Sequence, residues 1–233
     1  MNIFKKSLVL ILVITIMIGV SGCTFQSNEK IMLEHLKQKY GQEFIKISMG
    51  GLGYVGGSRI LYCYPTGGDR EVDEVSLIMS KDKNGEISFS DNYFGNLIRE
   101  ELEAEILAIL SDFPQSFKAY YNHSSNSFDE SFDGTKTYSD FKEWINAGNS
   151  KQLSITIAAE ADNLGESEKE KCANQIFDAI EKEGLNRSVD VRFYPNKVFE
   201  KLTRKNVFSL YRSEYSNFYK SVNEEIKKQK DKE

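Results

Sequence analysis

The sequence predicts an α+β fold. An antiparallel four-stranded sheet with flanking helices comes first, then a smaller lobe containing a β-α-β unit, then a C-terminal amphipathic helix. Three observations lead there. Runs of alternating apolar residues, separated by turn signals, fill residues 43–90. Apolar residues at spacings of three and four mark helices on either side of that block. A strand, helix, strand order then runs from Leu153 to Tyr194, as a crossover unit requires.

Taken in order, residues 30–40 place Met32, Leu33, Leu36 and Tyr40 on one helical face, and Gly41 supplies a stop. Glu43–Ser48 reads as a strand, and a glycine-rich loop, Gly50–Gly57, leads into the strand Arg59–Tyr64. Pro65–Asp69 is a turn. Val75, Leu77 and Met79 alternate with polar residues, as on a half-buried strand. Asn84-Gly85 is a hairpin signal before Glu86–Ser90. A helix over Gly95–Ser111 turns Ile98, Leu102, Ile106, Ile109 and Leu110 inward.

The second half opens with a strand at Phe117–Tyr121 and a polar, Ser-rich loop over Asn122–Lys136. Ser139–Ala147 reads as a short helix capped by Ser139. Leu153–Ala158 is an apolar strand. Ser167 and Glu170 suggest a capping box for a helix ending at Gly184. Ser188–Tyr194 sets Val189, Val191 and Phe193 on one face. Phe208, Tyr211, Tyr215, Phe218, Val222 and Ile226 then fall at helical spacing. The predicted organisation is a leader over 1–22, a tether over 23–30, one α+β lobe over 31–112, a second over 117–226, and a charged tail over 227–233.

The leader has its own chemistry. Lys5 and Lys6 precede an apolar run from Leu8 to Val20, followed by Ser21, Gly22 and Cys23. A basic start, a short apolar run and a small-residue cleavage site make a secretory signal. The run is shorter than the roughly 20 residues of a membrane span. Val20-Ser21-Gly22-Cys23 resembles a lipobox, the site at which bacterial lipoproteins are diacylated on cysteine and cut just before it. The resemblance covers the N-terminus alone. It implies removal of residues 1–22, lipid attachment at Cys23, and a body held on the outer side of the cell membrane. Lysine-rich composition and low proline are similar to those of small lipoproteins of Gram-positive bacteria.

Loss of residues 1–22 removes two lysines and no acid, taking the net charge from −5 to −7. That balance argues against nucleic acid as a partner. A hydrophobic content of 40% suits a packed body, not a disordered stalk. An exported chain can form a Cys63–Cys172 bridge. Both cysteines nevertheless sit on apolar faces, so two buried free thiols are the favoured reading.

Three patterns bear on chemistry. Gly51-Leu52-Gly53-Tyr54-Val55-Gly56 spells G-x-G-x-x-G, but a strand follows it where dinucleotide binding needs a helix N-terminus. A nucleophile–base pair would have to use His35 or His123, and His123 has Ser124, Ser125 and Asp129 nearby in sequence. Asp129, Ser131, Asp133, Gly134, Thr137 and Asp140 occupy positions of an EF-hand-like calcium loop. Asp140 replaces the bidentate Glu there, and Lys136 stands at a normally apolar position. No cofactor, resident metal or catalytic residue is therefore expected, and calcium in the 129–140 loop is the minor reading. The leading expectation is a non-catalytic, membrane-anchored interaction or ligand-binding module with an unidentified protein or envelope partner. The alternatives are a transporter's solute-binding subunit and an extracytoplasmic hydrolase. A cleft between lobes would favour the solute-binding subunit.

Overall fold

The computed structural model describes residues 27–51, 58–123, 128, 130–147, 153–183, 187–209 and 217–221. It is α+β, as the sequence predicts, with two four-stranded sheets. Helix α1 (Asn28–Tyr40) starts at Ser27, whose hydroxyl accepts from the Lys30 N–H. It ends at Gly41, which adopts φ 70° and donates its N–H to Lys37 O. A left-handed cap of this kind favours glycine. The range 23–30 expected as a tether overlaps this helix, since Asn28, Glu29 and Lys30 form its first turn.

The first sheet is a meander of β1 (Phe44–Gly51), β2 (Arg59–Pro65), β3 (Val75–Lys81) and β4 (Ile87–Asp91), paired antiparallel in that order. Gly85 at φ 89° closes the β3–β4 hairpin. Alternation decides the faces. Leu61, Cys63, Val75 and Leu77 are buried against Met32 and Leu36 of α1. Ile60, Tyr62, Ser76 and Ile78 point to the opposite face.

Helix α2 (Tyr93–Ile109) belongs to both halves. Tyr93 joins the first core, while Phe94, Ile98, Leu102 and Ile106 join the second. The sequence reading gave this helix to the first lobe; its apolar stripe packs on the second. The second sheet runs β5 (Phe117–Tyr121), β6 (Leu153–Glu160), β7 (Arg187–Tyr194) and β8 (Asn217–Ser221). Helix α3 (Tyr138–Asn146) lies between β5 and β6 in sequence. Strands β6 and β7 are parallel and joined by α4 (Glu166–Lys182), the expected β-α-β unit. Helices α2, α3 and α4 cover one face of this sheet, and their apolar side chains form the second core with it.

The other face of the second sheet is covered by a strap holding α5 (Asn196–Phe199) and α6 (Arg204–Val207). The Lys118 ammonium donates to the carbonyls of Phe199, Glu200 and Leu202 at 2.8, 3.2 and 3.0 Å. Arg192 Nη1 donates to Val207 O at 2.7 Å. Two cations from the sheet thus satisfy carbonyls of the strap, as buried backbone acceptors require.

Three local expectations are corrected. The C-terminal amphipathic helix is not formed over 217–221. That segment is β8, antiparallel to β7, with Phe218 edge-on to Phe193 at 5.8 Å. The hydrogen-bonding edge of β7 overrides the helical spacing of the aromatic residues. The remaining residues of that predicted helix beyond Ser209 lie outside the described ones. Thr137, not Ser139, caps α3, in a reciprocal box with Asp140. Glu168, not Glu170, returns its carboxylate to the start of α4, accepting from the Gly165 N–H at 2.8 Å.

One polar cluster sits deep in the first half. Asp91 is fully buried at the end of β4 and pairs with Lys39 at 2.8 Å, itself 3% exposed at the side chain. The Tyr40 hydroxyl donates to Asp91 Oδ1 at 2.7 Å, and the Tyr93 N–H does so at 2.9 Å. The Asp91 backbone also forms a bridge with Phe128. Burial and the Asp91 charge push the Tyr40 hydroxyl far above its ordinary pKa, so it stays protonated and keeps donating.

Candidate functional site

The outer face of the first sheet does not simply meet solvent. With the strap and the end of β5 it encloses a cleft of about 460 Å³. Strand β2 contributes Ile60 and Tyr62, and β3 contributes Ser76 and Ile78. Asn92 stands at the β4–α2 junction, and His123 follows β5. Arg204 of α6 and Phe208 just beyond it form the wall contributed by the strap. The size lies within the usual range for small-molecule sites, roughly 300–1,000 Å³.

Each polar side chain is held by its neighbours. Arg204 Nη1 donates to Tyr121 O at 3.0 Å, and Nη2 donates to Glu103. Glu103 in turn accepts the Tyr121 N–H at 2.7 Å. The guanidinium also lies 5.8 Å from the Tyr120 ring centre, within cation–π reach. Asn92 Oδ1 accepts the Ser76 N–H at 2.8 Å. His123 Nε2 donates to Glu74 O at 2.9 Å. Gly95 explains how closely His123 packs: a Cβ there would come within 2.9 Å of His123 Cβ.

The strap is tied to the first sheet as well. Lys205 meets Asp69 at 2.8 Å and Glu71 at 3.2 Å. These groups are exposed, so the pair orients the strap more than it stabilises it. Arg99 of α2 holds Asp73 at 3.1 Å. The turn carrying Asp69, Glu71 and Asp73 is thus linked to both α2 and α6.

The two histidines have different surroundings. His35 stacks on Phe89 at 4.0 Å and lies 3.2 Å from Glu130, at the edge of the first core. His123 lines the cleft. Burial lowers the pKa of both, and for His123 the nearby Arg99 and Arg204 add to that effect. The folded protein therefore binds fewer protons at these positions than the unfolded chain, whose histidines titrate near 6.5. Stability is expected to be full above that value and to fall as pH drops from about 6.5. Denaturant titrations at pH 7.5 and 5.5 check this, and a His35→Gln, His123→Gln double variant should show a flatter pH dependence.

The other sequence candidates are placed as follows. Cys63 and Cys172 are free and buried in different cores. Burial pushes the Cys63 thiol up to about 12 and the Cys172 thiol in the same direction, so neither is a ready nucleophile. Gly51 ends β1 and Arg59 opens its antiparallel partner β2. The rest of the G-x-G-x-x-G segment, residues 52–57, lies outside the described residues, as do Cys23, Ser124, Ser125 and Asp129. Asp133 accepts from Thr135, and Asp140 accepts from the Thr137 backbone and hydroxyl. Gly134 has no positive φ, and a Cβ there would come within 3.2 Å of the Tyr40 backbone. Its smallness therefore serves close packing on α1, not the sharp turn of a calcium loop. Among the described residues no three His, Cys, Asp or Glu side chains gather as a metal site. None of their helices is long and apolar enough to cross a membrane.

Sequence reasoning did not select Asn92 or Arg204. The one available signal was Asp91-Asn92, a polar pair between a strand and a helix, which reads as an ordinary cap.

No protein-family model matches the chain, and no curated protein matches it. Among solved structures it is similar to a DUF5037 family protein from Ruminococcus gnavus. That alignment has 15% identity, a TM-score of 0.45, and covers 81% of this chain and 89% of the other.

Proposed function

We propose that this chain is a lipid-anchored, extracytoplasmic binding module, without catalytic activity, that holds a small ligand in the cleft between its two sheets. The observation carrying the binding role is the cleft itself. Its walls come from both halves of the molecule, and it combines apolar surface from Ile60, Tyr62 and Phe208 with fixed polar groups from Asn92 and Arg204. An apolar pocket with a few convergent polar groups is the usual form of a ligand site. The anchor rests on the leader and Cys23. Two acyl chains give stable attachment, at about 0.8 kcal/mol per buried CH₂.

A cleft between lobes also favours the solute-binding subunit of a transporter, which would use the same surface. A hydrolase is favoured less. His123 and Ser76 both line the cleft, but Nε2 of His123 is engaged by the Glu74 carbonyl.

Two measurements test the proposal. Full-length protein expressed in a Gram-positive host with radiolabelled palmitate is expected to carry label in the membrane fraction. Cys23→Ser should lose the label; persistent labelling of that variant would remove the anchor. For the cleft, thermal unfolding of the full chain in non-ionic detergent is followed against amino acids, short peptides, sugars and carboxylates. At a hundredfold excess over Kd a ligand stabilises by about 2.7 kcal/mol, enough to raise the midpoint by several degrees. The rise should vanish in Ile78→Trp, which fills the cleft. A panel giving no rise that Ile78→Trp abolishes would end the binding reading.

A further inference from the structure

We infer that the cleft recognises a primary amine that carries an apolar group and a neighbouring carbonyl, the chemistry of a peptide's free N-terminus. The inference rests on the binding role proposed above and specifies its ligand.

Charge accounting around the cleft leads to it. Arg204 is answered by Glu103, Asp73 by Arg99, and Asp69 and Glu71 share Lys205. Glu74 is different. It lines the cleft and is exposed, and its carboxylate takes part in no ion pair or hydrogen bond in the described structure. Among the described lining residues the one cation, Arg204, is already forked between Glu103 and Tyr121 O, so a ligand meets the uncompensated charge of Glu74. That favours a cation over an anion.

A second, independent observation sets the other end of the ligand. Asn92 is 2% exposed, and its Oδ1 is taken by the Ser76 N–H. Its Nδ2 carries no hydrogen bond in the described structure, and the residue lines the cleft. That donor opens onto the cleft from an otherwise buried side chain whose other end is fixed, and a ligand carbonyl would accept from it. The apolar part is supplied by the floor and wall. Tyr62 presents an unstacked ring beside Ile60 and Ile78, and Phe208 is 39% exposed. An aromatic face beside a free carboxylate suits an ammonium group.

Calorimetric titration of the full chain in detergent tests this with three probes. L-phenylalaninamide has amine, carbonyl and apolar group; N-acetyl-L-phenylalaninamide lacks the charged amine; 2-phenylethylamine lacks the carbonyl. The first is expected to bind, with the other two at least tenfold weaker. Glu74→Gln should weaken the first at least tenfold while its thermal midpoint stays at the wild-type value. Equal binding by the acetylated probe, unchanged affinity in Glu74→Gln, or no binding of L-phenylalaninamide overturns the assignment. A sugar or carboxylate whose stabilising effect is lost in Ile78→Trp would overturn the amine alone and leave the cleft as a binding site.

Discussion

Asp91→Ala is expected to lower the stability of the folded protein by about 3–5 kcal/mol, the usual cost of removing one partner from a buried ion pair. Lys39 is then left as a cation in a site where its side chain is 3% exposed. The Tyr40 hydroxyl and the Tyr93 N–H lose their acceptor in the same step. Urea unfolding followed by circular dichroism measures the loss. Asp91→Asn keeps a carbonyl for the two donors and should lose less than Asp91→Ala. Equal losses would mean that the charge, and not the hydrogen bonds, dominates. A loss below about 1 kcal/mol for Asp91→Ala, typical of an exposed pair, would show that water reaches Lys39.

Phe94→Ala should cost a similar amount, about 3–5 kcal/mol, by a different route. Phe94 is fully buried in α2 and packs against Phe128, Phe132 and Phe141 with ring centres 5.1, 4.8 and 6.1 Å away. Truncation removes the transfer free energy of the ring and leaves a cavity among groups that cannot collapse into it. Phe94→Leu, which retains most of the volume, should recover much of the loss. Because the neighbouring Gly95 packs on His123, the alanine variant should also weaken ligand binding at the cleft. Similar stability losses for Leu and Ala would indicate that the aromatic edge contacts matter more than filled volume.

Much of the fold was legible because it is local. The alternation of Val75, Leu77 and Met79 fixed their common face, and Asn84-Gly85 fixed the hairpin after them. The stripe Ile98, Leu102, Ile106 announced a buried helical face, but periodicity says nothing of which sheet it meets. Phe94 was missed because Gly95 was read as the helix start. The aromatic run after Phe208 failed for the opposite reason. Its helical spacing is real, yet a five-residue piece of it pairs with β7, and pairing partners far away in sequence leave no local mark.

The cleft was less legible still. Its residues come from β2, β3, the β4–α2 junction, the end of β5 and α6, spread over more than a hundred positions. Asn92 and Arg204 carry no pattern in the sequence that sets them apart from other polar residues. His123 drew notice in the sequence only for its neighbours Ser124, Ser125 and Asp129, which do not by themselves make a catalytic triad. Its described partners instead come from Glu74 and α2, through a carbonyl and a glycine.

The Ser27 cap has a bearing on where this body works. With Cys23 lipidated as proposed, only Thr24, Phe25 and Gln26 separate the acyl chains from the first helix. Even fully stretched, that leash spans about 14 Å. The protein would ride against the bilayer surface, within about two screening lengths of it at physiological salt. A body of net charge −7 at that distance is repelled by anionic headgroups, which favours postures that turn its acidic surfaces outward. Glu71 and Glu74 of the cleft lining are exposed and belong to that acidic surface.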